Sequence, residues 1–431
     1  MWSNKNYMIA FFLFIYFLIH LIVALVIDEN HAFAPDELNY IESFNSIFNN
    51  GGTFGSISGW PATSKFAVQV LNFPAFLLTQ VGIGDWLALR INAIMFACLF
   101  TFLLLMELER SNPKKLVKLL FIFVLFTPSF FIFTTLGIKE SYLYFALVFV
   151  FICINKFFRV KSPSLFLHFL VILSGYLLLS IKPYLFFLLL ITTVFVSILS
   201  AFVRKKDMAR NFVILGLMSI SLALSPPAVS VFAQNINAFM NQLSSPLSVN
   251  SSETVNSSET VNSSETIKLL NEADTTSVLH FLLEFFHLSV DNMDVLEHNA
   301  SNYDNGELIR GTLKSPTQSI ESFYYFLFSP VIATKYESKV INTLKLESPF
   351  WLLTYLLLIF VCTKVLKTRK IPDSSVVFPA VYLIGFVILS AFTETNLGTA
   401  IRHKGVLIIL TLLLVATSES KEKDRIKGIT I

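Results

Sequence analysis

The chain has 431 residues, 54% of them hydrophobic and 14% charged, with a mean hydropathy of +0.67. These values exclude an ordinary soluble domain, and the 45 Phe suit helices that face lipid. The net charge of +3, with no basic tract, excludes a nucleic-acid surface.

Apolar runs long enough, or nearly so, to cross a hydrocarbon core of about 30 Å recur along the chain. They cover residues 8–27, 86–108, 119–136, 141–154, 165–181, 184–203, 212–232, 350–365, 376–392 and about 397–417. The predicted fold is therefore all-α and polytopic, with about ten transmembrane helices. No small-residue cleavage site follows the first run, so it reads as a retained first helix and not as a signal peptide.

Just beyond that helix stand Pro35, Asp36, Glu37, Leu38, Asn39 and Tyr40. Asp36 can cap a new helix whose apolar face is Tyr40, Phe44, Ile47 and Phe48. In structural terms alone the two carboxylates are an N-cap and an acidic first turn. The functional alternative is a pair of working acids where a membrane helix emerges into water.

Residues 66–81 are apolar but short, and carry Gln69, Asn72, Pro74 and Gln80. If this stretch does not span and the N-terminus is cytoplasmic, every short cytoplasmic loop is basic. Lys114, Lys115 and Lys118, then Lys156, Arg159 and Lys161, then Arg204, Lys205, Lys206 and Arg210 all fall on that side. Counting 66–81 as a span inverts the later loops and breaks the pattern. It is therefore predicted as an interfacial or re-entrant helix in an outer loop of residues 28–85. Both termini are then cytoplasmic, in an inner or cytoplasmic membrane.

The predicted organisation is a transmembrane module over 1–232, a long outer loop over 233–349, and a second module with a cytoplasmic tail over 350–431. The long loop holds three near-identical hexads beginning at Asn250, Asn256 and Asn262. Small polar residues at that period cannot bury enough apolar area to fold alone, so 250–267 is predicted to be a flexible tether. Residues 278–290 and 319–332 regain amphipathic character and are predicted as interfacial helices. Cys98, Cys153 and Cys362 all fall within apolar runs and read as core residues, not as a disulfide or metal framework.

A charged side chain inside the hydrocarbon costs roughly 2.5–3.5 kcal/mol unless it finds a partner or a polar cavity. Arg90 lies one turn inside its helix, where snorkelling to the interface is the plain structural account. Arg402, His403 and Lys404 are harder to place at a surface. From Gly405 to Thr417 the helix would be only about 20 Å long. The last span should therefore begin before Arg402 and carry the basic triplet below the outer surface; a short tilted helix is the competing account. The acids Asp36, Glu37, Glu140 and Glu394 and the bases Arg90, Lys139, Lys182, Arg402 and Lys404, with His403, all fall on the outer side. Such a set suits a hydrated pocket for an anionic, partly lipid-buried ligand. Bases near the interface suit a phosphate headgroup, and a carboxylate suits general-base work on a hydroxyl.

A first outer loop with an Asp-Glu pair just after the first transmembrane helix resembles the GT-C superfamily of integral-membrane glycosyltransferases. The stretch from Glu394 through Arg402, His403 and Lys404 is similar to a segment of multi-pass proteins from bacterial surface-polysaccharide clusters. The resemblance covers the topology of the N-terminal half and these short motifs. It implies transfer of a sugar from a polyprenyl-phosphate carrier to a glycan or lipid-linked acceptor on the extracytoplasmic side. Asp36 is then the expected general base. Glu37 is the alternative base, or holds a divalent cation together with Asp36. Arg90, Lys139, Lys182, Arg402 and Lys404 are expected to neutralise the leaving phosphate, and His403 to contact phosphate or sugar. The large soluble C-terminal domain of some family members is absent, and the long loop falls late in the chain. A second reading is an O-antigen-polymerase-like enzyme that grips lipid diphosphates with its arginines. A flippase or transporter is a third; it needs two related halves and midplane polar groups, and neither is evident.

Overall fold

The computed structural model describes residues 4–27, 37–48, 70–111, 113–160, 162–203, 205–224, 323–324, 326–328, 345–367, 374–393 and 397–419. The chain divides into two compact units, Met1–Val231 with Tyr303–Ile431, and Phe232–Asn302; every described residue belongs to the first. The repeat at 250–267, the stretch at 278–290, Asp36 and Glu394 lie outside the described residues.

Among the described residues the regular structure is helical throughout. The helices are α1 (Asn4–Val26), α2 (Glu37–Phe48), α3 (Phe73–Gln80), α4 (Asp85–Ser111), α5 (Lys115–Leu125), α6 (Pro128–Thr135), α7 (Glu140–Arg159), α8 (Leu165–Ile181), α9 (Pro183–Val203), α10 (Lys205–Ala223), α11 (Ser348–Lys367), α12 (Ser374–Thr393) and α13 (Leu397–Glu419). A 3₁₀ turn, Lys345–Glu347, leads into α11. Seven of these segments are long and apolar enough to cross a membrane, or eight if the bent pair α5 and α6 is one span. Leu165–Ile181 and Ala209–Ala223 are apolar but shorter. Among the described residues the fold is all-helical, with seven or eight segments able to cross a membrane, consistent with a multi-pass protein; the shorter Leu165–Ile181 and Ala209–Ala223 belong to the ten runs predicted.

The run 119–136 is where the sequence pattern misled most. It is two helices meeting at 55°, not one straight span. Pro128 has no N–H to give and pushes the residue before it out of the helical region. Thr127 obliges with φ −54° and ψ 122°, ending α5 and starting α6. The same logic separates α8 from α9, where Lys182 sits at φ −146°, ψ 86° just before Pro183. Within residues 66–81, the helix α3 has only eight residues, about 12 Å, far too short to cross. It lies against α4, and Phe76 stacks on Phe48 of α2. Tyr40 and Phe44 bury the predicted apolar face of α2.

The helix at the centre is α13. In its span Ala400–Ser418, 94% of the residues of the most apolar window are buried, against 17% in the span of α1. It packs on α4, α7, α11 and α12, while α1 rests on α4 with Phe11, Phe14 and Ile22 left exposed for lipid. Because α13 begins at Leu397, its basic triplet falls inside the first two turns of the most enclosed helix. That agrees with the length argument made from the sequence. Phe326 also packs inward, buried against Phe386, and Tyr355 donates its hydroxyl to the Leu327 carbonyl.

Candidate functional site

Arg90 is the largest fully buried side chain, and it does not snorkel. Its Nε donates to Glu37 Oε1 at 2.9 Å and its Nη2 to Glu37 Oε2 at 2.7 Å. Two parallel bonds of this kind are the strongest arrangement an arginine and a carboxylate can make. Nη1 donates to the carbonyls of Ala24 at 2.7 Å and Ile27 at 2.5 Å. The last carbonyls of a helix have no internal partner, so Arg90 caps α1 while holding the first residue of α2. Trp86 covers the guanidinium, 4.7 Å from its ring centre.

The same carboxylate reaches a third element. Gly137, in the turn between α6 and α7, donates its N–H to Glu37 Oε1 at 2.7 Å. A side chain there would meet Leu89 Cβ at 3.0 Å and that carboxylate oxygen at 3.3 Å, so the turn needs glycine to come this close. Two residues on, Lys139 is half-buried at the N-cap of α7. Glu140 opens α7, buried, with Oε1 3.7 Å from Arg402 Nη1. Arg402 also lies over the Phe133 ring at 5.7 Å. Tyr144 fixes the backbone beneath it, donating to the Arg402 carbonyl at 2.9 Å. Gly405 lets that happen, since a Cβ there would fall 2.0 Å from the Tyr144 hydroxyl oxygen.

His403, next along α13, has Nε2 3.1 Å from Lys182 Nζ. A lysine ammonium can only donate, so this geometry makes Nε2 the acceptor and puts the ring proton on Nδ1. Lys182 lies 5.2 Å from the Tyr184 ring centre. Lys404 points elsewhere. It is 1% exposed, 5.0 Å over the Trp351 ring, and feels the charge of Glu347. Glu347 accepts from Trp351 Nε1 at 2.8 Å and from the Ser129 N–H at 2.9 Å. It therefore satisfies the start of α6, where the span is broken.

These contacts form a linked series from one end of the chain to the other. Glu37 bonds Gly137, which precedes Glu140 by three residues; Glu140 faces Arg402; His403 faces Lys182. Three residues of chain reach at most about 11 Å, so the N-terminal acids and the α13 bases lie close together. The structure thus brings Glu37, Arg90, Lys139, Glu140, Lys182, Arg402 and His403 to one end of the bundle. It turns Lys404 inward to Glu347. Glu347 was missed in the sequence because it sat within the outer loop; the signal was an acid followed by Ser348 and Pro349 at a helix start. No group of three or more His, Cys, Asp or Glu that could hold a metal ion occurs among the described residues. Glu37 Oε1 accepts two N–H bonds and Oε2 one, so its carboxylate is engaged with Arg90 and Gly137. The opposite end carries its own network, with Glu107 bound by Arg159 at 2.6 Å, Asn155 at 3.1 Å and Arg110 at 3.2 Å.

The chain matches no family model, no curated protein and no solved structure.

Proposed function

We propose that this protein is a membrane glycosyltransferase that moves a sugar from a polyprenyl-phosphate carrier to a glycan or lipid-linked acceptor in surface-polysaccharide synthesis. The single supporting observation is the gathering of charged side chains from α2, α4, α7, α8 and α13 at one end of an apolar bundle. In this reading ten crossings, with α8 and α10 included, put that end on the extracytoplasmic side and both termini in the cytoplasm.

The acceptor hydroxyl loses its proton to Asp36 as its oxygen attacks the anomeric carbon. The bond from that carbon to the phosphate oxygen breaks, and the carrier phosphate leaves with the bonding electrons. Arg402, Lys182, Lys139 and His403 neutralise the charge that develops there, which is where most of the rate should arise. Glu37 is a positioning residue: with Arg90 it fixes the start of α2, one residue beyond Asp36. Lys404 acts through Glu347 and not on the substrate.

A polymerase of lipid-diphosphate-linked units would rely on arginines to grip phosphate. Arg90 spends four hydrogen bonds on Glu37, Ala24 and Ile27, which argues against it in that role. The test compares Asp36→Asn with Arg402→Ala for sugar transfer by the purified full-length protein. Asp36→Asn should lower transfer by about 100-fold or more. Full activity in Asp36→Asn with loss in Arg402→Ala would reject this reading in favour of the polymerase. Lipid flipping without any new glycosidic bond would favour the transporter.

A further inference from the structure

Three buried acids at or near this end differ in how fully they are served. Glu37 takes three N–H donors, and Glu347 takes two. Glu140 is 3% exposed, yet its Oε1 lies 3.7 Å from Arg402, beyond hydrogen-bond range, and its buried Oε2 meets no donor at all. Buried carboxylates normally have their oxygens bonded. The partner of Glu140 is also the more open one. Arg402 is 19% exposed, and Tyr144 anchors its backbone beneath.

We propose that Glu140 reads the sugar, its open oxygen accepting a hydrogen bond from a hydroxyl of a neutral sugar once a phosphate draws Arg402 outward. This rests on the glycosyltransferase reading above. The guanidinium gives up its 3.7 Å contact with Glu140 for a phosphate, and the carboxylate it uncovers takes the hydroxyl. No covalent bond changes in this step. A selectivity follows. A sugar that carries its own carboxylate would set two like charges together in a poorly hydrated place, so neutral sugars are accepted and uronic acids rejected.

The test uses the full-length protein in lipid nanodiscs and two probes, a polyprenyl-phosphate-linked glucose and its glucuronic acid counterpart. Wild type should bind the glucose probe about tenfold or more tightly than the acid. Glu140→Gln keeps an acceptor but loses the charge, so the preference should collapse toward parity. Glu140→Ala should weaken glucose binding by about tenfold. Should Glu140→Ala fail to fold, the near-isosteric Gln variant and the shorter Asp variant decide, with Asp keeping the sign of the preference. The proposal is overturned if Glu140→Gln retains the wild-type preference, which would leave the open oxygen to water alone. It is equally overturned if wild type binds both probes alike or binds neither. Failure of the glycosyltransferase reading looks different: wild type then shows the preference but forms no glycosidic bond with any acceptor.

Discussion

The pairs Glu37–Arg90 and Glu140–Arg402 use the same chemistry, lie near each other, and do opposite things. In the first, two charged side chains are buried and joined by two short hydrogen bonds, 2.9 and 2.7 Å long. In the second, the acid is buried, the arginine is 19% exposed, and 3.7 Å separates them. A buried ion pair is stable when the remaining lone pairs and protons are also served. Glu37–Arg90 meets that condition by recruiting the end of α1 and the α6–α7 turn. Glu140–Arg402 does not, because Glu140 Oε2 is buried without a donor. One pair serves every carboxylate oxygen; the other leaves one unserved.

The sharpest way to break this comparison is to remove Arg90. Arg90→Ala leaves the Glu37 carboxylate buried with its counter-charge gone and uncaps α1. We expect a loss of about 3–5 kcal/mol, read as a lower unfolding midpoint in detergent. Arg402→Ala should cost less than Arg90→Ala, since its side chain is 19% exposed and lies 3.7 Å from Glu140. Equal losses in the two variants would erase the distinction between them.

Gly405→Ala is the next largest test. The new methyl would collide with the Tyr144 hydroxyl at 2.0 Å and with Phe130 at 3.2 Å. Overpacking of this kind costs about 1–3 kcal/mol and should push Tyr144 away from the Arg402 carbonyl. If Arg402 works at the site, sugar transfer should fall further than stability alone explains. Tyr144→Phe separates the two effects, because it removes the hydrogen bond without the collision.

Much of this arrangement could be read from the chain before any coordinates. Hydropathy marked where the helices run, and a length argument put the start of the last one ahead of Arg402. Basic loops kept residues 66–81 from being counted as a span. What hydropathy could not register was the break at Thr127, because a single proline changes the path without changing how apolar the run is. Nor could it pair charges. Glu37 and Arg90 are 53 residues apart, and nothing in one sequence says which acid meets which base. Glu347 and Lys404 stayed hidden for the same reason. The rule that finds them afterwards is physical: a base buried in the most enclosed helix has to have a carboxylate near it.

The smallest effect sharpens the comparison from the far end of the bundle. Glu107 is 3% exposed and is held by Arg159 and Asn155 as well as by Arg110. Arg110 is 50% exposed and lies one turn along the same helix. Its share of the network is therefore that of a solvated pair, about 0.2–1 kcal/mol, and screening by salt should shrink it further. Arg110→Ala should shift the unfolding midpoint barely above error and leave the proposed sugar transfer unchanged. Arg159→Ala, whose guanidinium is less exposed and closer to the carboxylate, should cost more at the same site. If the two variants proved equivalent, burial of the arginine would not be what grades these pairs. The contrast between Arg90 and Arg402 would then need a different cause, with connectivity to α1 and the α6–α7 turn as the remaining candidate.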